Sequence, residues 1–263
     1  MRADPNEKEF AQELIKIGNG ISENESFVSV PDACFCKGNL SDEVFEQVIK
    51  NENYNELYNY AILSPFNSIV DNYNEEIMKK FPGETKTLLS IDETETNNLA
   101  ITPEILNSLK CPNFPNHSIS LKEKSMIMLV RNLNVKEGLC NGTRLQVANI
   151  GKHVLNCIIK SGDKIGETTL IPRITLIEDK KFPFVIKRHQ FPIRLAFAFT
   201  INKSQSQTFE KIGIDYTEDP FSHGQTYVSL SRAKSWEKIR IKVSEKNKDK
   251  RIKNIVWREA LLN

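Results

Sequence analysis

No stretch of this 263-residue chain approaches the ~18 consecutive apolar residues that a membrane-spanning helix needs. The opening residues, MRADPNEKEF, lack the charged-then-apolar order of a signal peptide. Neither a membrane role nor secretion is therefore expected. Cysteine is sparse, with five in all. Cys34 and Cys36 stand one residue apart, and Cys111, Cys140 and Cys157 are scattered. An odd, scattered set argues for reduced thiols and against a disulfide framework. Four isolated histidines add no ligand cluster, so no metal site is expected. GxxxxGK[ST] occurs nowhere, so nothing here cradles a nucleotide's phosphates or offers a P-loop hydroxyl to magnesium. PGETKT at 82–87 has the wrong order for such a loop. There is no internal repeat and no low-complexity segment.

What is present suits a folded chain of one large domain or two small ones: 39% hydrophobic and 27% charged residues. The net charge of +2 hides an uneven distribution. Residues 1–110 hold 9 Lys and Arg against 20 Asp and Glu, and residues 111–263 hold 27 against 14. A basic second half is a footprint for nucleic acid, and it is equally what solvated surface charge produces.

Along the chain, NEKEFAQELIKI places Phe10, Leu14 and Ile17 on one helical face, stopped by Gly18 and Gly20. FVSVP reads as a short extended piece. Ser41 before DEVFEQVIK reads as an N-cap with acids in the first turn. YAILSP reads as a buried strand, followed by a helix, SIVDNYNEEIMKKF, that Asn67 could cap. TKTLLSI is strand-like, and TPEILNSLK is a short helix opened by Thr102 and Pro103. Between residues 117 and 178 six short β-rich runs alternate with turn residues. That density predicts a small, strongly curved β-barrel of the SH3 or OB kind. PIRLAFAF, KIGIDY, HGQTYVSLSRAKS and KIRIKV then return to α/β alternation. A β-rich module is thus expected inside an α/β domain. In the tail, Lys246 to Arg258 carries six basic residues and one acid. This is either a nucleic-acid patch or the solvated face of a terminal helix packed through Ile252, Ile255, Val256 and Leu261, and the helical spacing of those four favours the packed helix.

Two stretches carry the chemistry. TINKSQSQTF (200–209) leaves a buried strand straight into hydroxyls, amides and one lysine. Open α/β sheets place ligand sites beyond such strand ends, and these side chains suit phosphate and backbone contacts. A plain polar loop is the competing reading. In HGQTYVSLSRAKS (223–235), Tyr227, Leu230 and Ala233 would face a core. Arg232 near the helix end either complements the macrodipole or is directed at a nucleotide's terminal phosphate.

The pair, TINKSQSQTF followed by FSHGQTYVSLSRAKS, resembles the last two motifs of superfamily 1 helicases, in the PIF-type branch shared with Helitron transposon helicases. AILSPFNSIVDNYNEEIM is similar to the segment that opens this family's second RecA-like domain. HSISLK through RITLI is similar to its inserted SH3-like subdomain, and NIVWREALLN to its chain end. Met1-Arg2 resemble the end of the family's NMR signature, before FAQELIKIGNG. The resemblance covers nearly the whole sequence and implies an α/β, RecA-like P-loop-NTPase-type domain lacking the P-loop half, with an inserted small SH3-like β-barrel. It divides the chain into 1–55 (end of a first RecA-like domain and linker), 56–116 with 183–263 (second RecA-like domain) and 117–182 (insert). LLSIDETE is not a Walker B strand on this reading, since Walker B belongs to the first domain.

By position, the resemblance implies that Arg232 and Arg2 approach the nucleotide and that Gln207, Gly224 and Gln225 couple to it. It implies DNA contacts for Thr200, Asn202, Lys203, Ser204 and Gln205. Ser64 and Asn67, at the start of the helix after AILSP, could offer backbone N–H groups to a phosphate, and His117 and the KRHQ stretch are lesser candidates. ATP and Mg2+ serve the complete family enzyme, and none is expected for this chain alone. Partners are single-stranded DNA, bound weakly, and possibly a separate first RecA-like domain. The implied function is the C-terminal part of an ATP-dependent 5′–3′ DNA helicase of repair, recombination or telomere maintenance, truncated and inactive alone. The location implied is intracellular, in the nucleus or the mitochondrion. A non-enzymatic nucleic-acid-binding or partner-binding module derived from such a helicase is the alternative. One departure stands out: the family's SQGQT is SQSQT here. Glycine serves where φ is positive, and Ser206 would meet that geometry at a cost of about 1 kcal/mol or more.

Overall fold

The computed structural model describes residues 7–21, 26–95, 101–109 and 114–257. Two compact units make up the chain: residues 1–77 with 197–263, and residues 78–196.

In the first unit, Phe10, Leu14 and Ile17 are buried along one face of α1 (Lys8–Gly18), as their spacing predicts. β1 (Phe27–Val28) is the short extended piece. α2 (Leu40–Lys50) is capped by Asn39, whose Oδ1 accepts from the Ser41 N–H at 2.8 Å. Ser41 is therefore not the cap; it lies buried inside the first turn. β2 (Tyr60–Ser64) is buried over its last four residues. α3 (Asn67–Lys80) starts at Asn67, which is thus the first helical residue and not its cap.

The second unit is β-rich. It contains β3 (Lys86–Leu89), β4 (Ile91–Thr94), α4 (Pro103–Ser108), β5 (Ser118–Leu121), β6 (Met126–Leu129), β7 (Arg144–Ile150), β8 (Val154–Ile159), β9 (Thr168–Pro172), β10 (Ile174–Glu178), β11 (Ile186–Gln190) and β12 (Ile193–Leu195). Its ladders are antiparallel, in the orders β12-β6-β7-β8-β9, β10-β11-β4 and β3-β5. No closed barrel forms among the described strands, because β9 and β12 end the five-stranded ladder without pairing to each other. Within this unit β3 pairs with β5 and β4 with β11. Leu121, Ile127, Leu129, Leu145, Val147 and Leu155 centre its larger apolar core.

The chain then returns to the first unit with β13 (Ala198–Thr200), β14 (Lys211–Tyr216), α5 (Gln225–Leu230), β15 (Ile239–Val243) and β16 (Ile252–Lys253). PIRLAFAF is not one strand: β12 ends in one unit and β13 begins in the other. The central sheet has the order β13-β2-β14-β15, and every pair is parallel. The central strands β2 and β14 are buried along nearly their whole length, as strands covered on both faces are, whereas edge strand β15 carries Arg240 and Lys242 between its apolar residues. Gly213 in β14 admits α2, since a Cβ there would lie 2.9 Å from Val44 Cγ2 and 3.1 Å from Leu40 Cγ.

The tail differs from expectation. Residues 251–257 contain no helix, and β16 pairs antiparallel with β1. Asn254 decides this locally: its backbone N–H donates to Ser26 O at 2.8 Å and its Nδ2 to Ile17 O at 2.9 Å. Leu261 lies outside the described residues.

Candidate nucleic-acid and nucleotide surface

With all four strands parallel, Thr200, Ser64, Tyr216 and Val243 end at one edge of the sheet. Ligands of open α/β sheets bind beyond that carboxyl edge. Two α3 side chains pin the strands that lead there. Asn74 is buried; its Nδ2 donates to Ala198 O at 2.9 Å and its Oδ1 accepts from the Phe197 and Ala198 N–H groups at 3.1 and 2.9 Å. Tyr73 Oη donates to Asp215 Oδ2 at 2.6 Å, and burial together with that carboxylate pushes the phenol well above its ordinary pKa. Asp215 Oδ1 in turn accepts from the N–H and hydroxyl of Thr217, fixing the exit from β14.

The 200–209 loop begins beside β2, where Thr200 is the register partner of Ser64. A 3-10 turn over Ile201–Ser204 follows, closed by Ser204 Oγ donating to Ile201 O at 2.6 Å. Ser204 is fully buried, so its hydroxyl shapes the turn instead of reaching a ligand. Ser64 is also fully buried, and its Oγ accepts from the Phe66 N–H at 3.4 Å. Asn67, Asn202 and Gln205 are exposed, and Thr200 and Lys203 are partly so. The surface this edge offers a ligand is therefore made of these side chains. Gln207 folds back, its Nε2 donating to Lys203 O at 3.3 Å. Between them Ser206 stands at φ +67°, in the left-handed region where a Cβ is costly.

Arg232 lies just past α5, which ends at Leu230. Its Nε donates to Val228 O at 2.9 Å, one Nη to Gln207 O at 3.1 Å and the other to Ser231 Oγ at 2.8 Å. The Arg232 carbonyl accepts from the Phe209 N–H at 2.9 Å. The two motif stretches are thus tied together through this one residue. Gly224 caps α5 at φ +72°, a value that glycine takes without strain. Gln225 is buried; its Oε1 accepts from the Phe221 and Ser222 N–H groups at 3.0 and 3.2 Å. Leu230 and Ala233 are buried as expected, while Tyr227 is only half-buried against Gly18. Arg2 lies outside the described residues.

The lesser candidates sit in the β-rich unit. Arg188 and Gln190 of KRHQ are buried and cannot meet solvent-borne nucleic acid. All five N–H directions of Arg188 are used: Nε and Nη2 on the Asp92 carboxylate at 2.8 and 2.6 Å, and the rest on the carbonyls of Leu106, Leu109 and Pro115. Lys187 and His189 alternate to the other face and are partly exposed. His117 is tied to Ser90 Oγ at 2.8 Å. Asp92, in LLSIDETE, is therefore an ion-pair partner on an antiparallel strand.

The residues present do not by themselves fit a magnesium nucleotide. Among the described residues no group of three His, Cys, Asp or Glu could hold a metal ion. A single arginine wall without a phosphate cradle assigns no catalytic step to this chain. No helix among the described residues is long and apolar enough to cross a membrane.

Residues 104–150, within the β-rich unit, match the family model described as the 2B domain of the DNA helicase Pif1. Over 223 residues the chain is 27% identical to the ATP-dependent DNA helicase PIF1 of Xenopus laevis, covering 83% of this chain and 33% of that protein. The rat protein of the same name is 31% identical over 174 residues, 64% of this chain and 25% of its own length. The fold is similar to that of the Pif1 helicase from Bacteroides solved with ADP-AlF3 and ssDNA, at TM-score 0.57 and 23% identity, covering 92% of this chain and 50% of that one. The chain spans a third or less of the length of these curated relatives. In sequence and in fold the chain is similar to PIF1-type helicases, over part of their length.

Proposed function

We propose that the chain is the second RecA-like part of an ATP-dependent 5′–3′ DNA helicase, carrying half of a single-strand path and an arginine for the nucleotide. The observation that supports this most is the bond network of Arg232. It joins the loop expected to meet DNA to the segment expected to meet nucleotide, at the carboxyl edge of a parallel sheet. Such a link is what coupling between a nucleotide site and a strand path requires. The β-rich unit, which holds the 2B match, is the accessory SH3-like insert of this reading, its ladder open at β9 and β12. In this reading the chain alone has no P-loop and does not turn over ATP. A steady-state ATPase assay with single-stranded DNA tests it. Turnover at background is expected for the chain alone, with stimulation when a P-loop-bearing first domain is supplied. Robust turnover by the chain alone, abolished in Arg232→Ala, overturns the reading.

The second reading is a binding module without catalysis. It is favoured by the same guanidinium, whose donors are directed at the chain's own carbonyls and hydroxyl. Failure of any first domain to elicit Arg232-dependent turnover, with single-strand binding retained, would select it.

A further inference from the structure

We propose that Phe66 and Phe221 form a stacking platform for an unpaired base of single-stranded nucleic acid. This rests on the single-strand path proposed above and adds the residues that would hold a base.

Phe221 is 58% exposed, unusual for a residue whose ring has no place in the core. Its ring lies 5.1 Å from that of the half-buried Phe66, tilted by 45°. Phe66 follows β2 and Phe221 follows β14, which are adjacent in the sheet. The strand order passes from β2 to β13 on one side and to β14 on the other, so these two loops flank the topological switch point. The loop with Asn202, Lys203 and Gln205 leaves β13 on the opposite flank of β2. Polar groups for a backbone and aromatic faces for bases thus emerge from neighbouring strands of one edge, the combination used to hold single strands.

Both rings are held at the backbone. Buried Gln225 accepts from the Phe221 N–H at 3.0 Å, and Ser64 Oγ accepts from the Phe66 N–H at 3.4 Å. A platform fixed before binding loses little entropy on binding. Glu218 and Asp219 are exposed on the Phe221 loop. Asp219 is paired with Lys253 Nζ at 3.9 Å, so Glu218 is the carboxylate whose charge disfavours phosphate here and leaves the neutral base as the group best suited to these rings.

The test is fluorescence anisotropy of a labelled oligothymidine with the full chain over a salt series. Phe221→Ala is expected to weaken binding about tenfold with the slope of log K against log salt unchanged, because a stacked base releases no counterion. Phe221→Trp should bind at least as tightly as wild type, and Phe221→Leu should remain weak. Lys203→Ala should instead reduce the slope by about 0.7. Wild-type affinity in Phe221→Ala or Phe221→Leu, with unchanged circular dichroism and thermal midpoint, overturns the platform alone. No binding by the wild-type chain overturns the single-strand reading and the platform with it.

Discussion

Ser206 shows how one side chain records both history and cost. At φ +67° it occupies a conformation that an L-residue adopts at a penalty of roughly 1–2 kcal/mol, less what glycine loses in chain entropy. Ser206→Gly is therefore expected to raise the stability of the folded chain by about 0.5–1 kcal/mol, read as the shift in a urea midpoint at constant m. A neutral or lowered midpoint would mean that the exposed serine carries a compensating contact. Arg232 teaches a different lesson at the same scale. Its residue type and place in HGQTYVSLSRAKS were legible in the sequence, and its partners were not. The direction of a guanidinium depends on which carbonyls the 204–207 turn presents, and that turn is set by Ser204 and Gln207.

At the scale of elements, periodicity identified α1, β2 and β14 because each buries a regular apolar set. It misplaced the caps of α2 and α3, where the decision lies in one or two hydrogen bonds. It also failed for the tail, since Ile252, Ile255 and Val256 satisfy a helical spacing that Asn254 overrides by bonding to Ile17 and Ser26. The three-stranded β10-β11-β4 sheet is governed by Arg188, buried with Asp92 and three carbonyls. Removing one member of a buried pair strands the other without water, at a cost of about 3–5 kcal/mol. Arg188→Ala should lower stability by that amount, measured by chemical denaturation. A change under about 1 kcal/mol would show that Asp92 finds solvent without the arginine.

For the whole molecule, the charge asymmetry of the two halves maps unevenly onto the two units. Residues 78–196 hold 18 Lys and Arg against 11 Asp and Glu, whereas the unit bearing the parallel sheet holds 18 against 23. The candidate edge therefore sits on the net acidic unit, and on the proposed reading a single strand would be held there by a few local contacts and stacking. If two or three phosphates are met, binding should weaken about tenfold between 50 and 200 mM salt, with micromolar or poorer affinity at the higher value. Salt-insensitive, nanomolar binding in a filter or anisotropy assay would contradict a half-site.

The sequence by itself determined the α/β alternation, the β-rich interruption, the order of the two motif stretches and the absence of a phosphate cradle. These are local or compositional properties: apolar period, turn residues and motif spelling survive without knowledge of what packs where. Tertiary structure alone decided that the five-stranded ladder stays open and that PIRLAFAF divides between two units. It alone turned Ser204 and Gln225 inward and set Phe66 against Phe221. Each of those outcomes depends on contacts between residues far apart in the chain, where parallel pairing of β2, β13 and β14 sets which loops become neighbours.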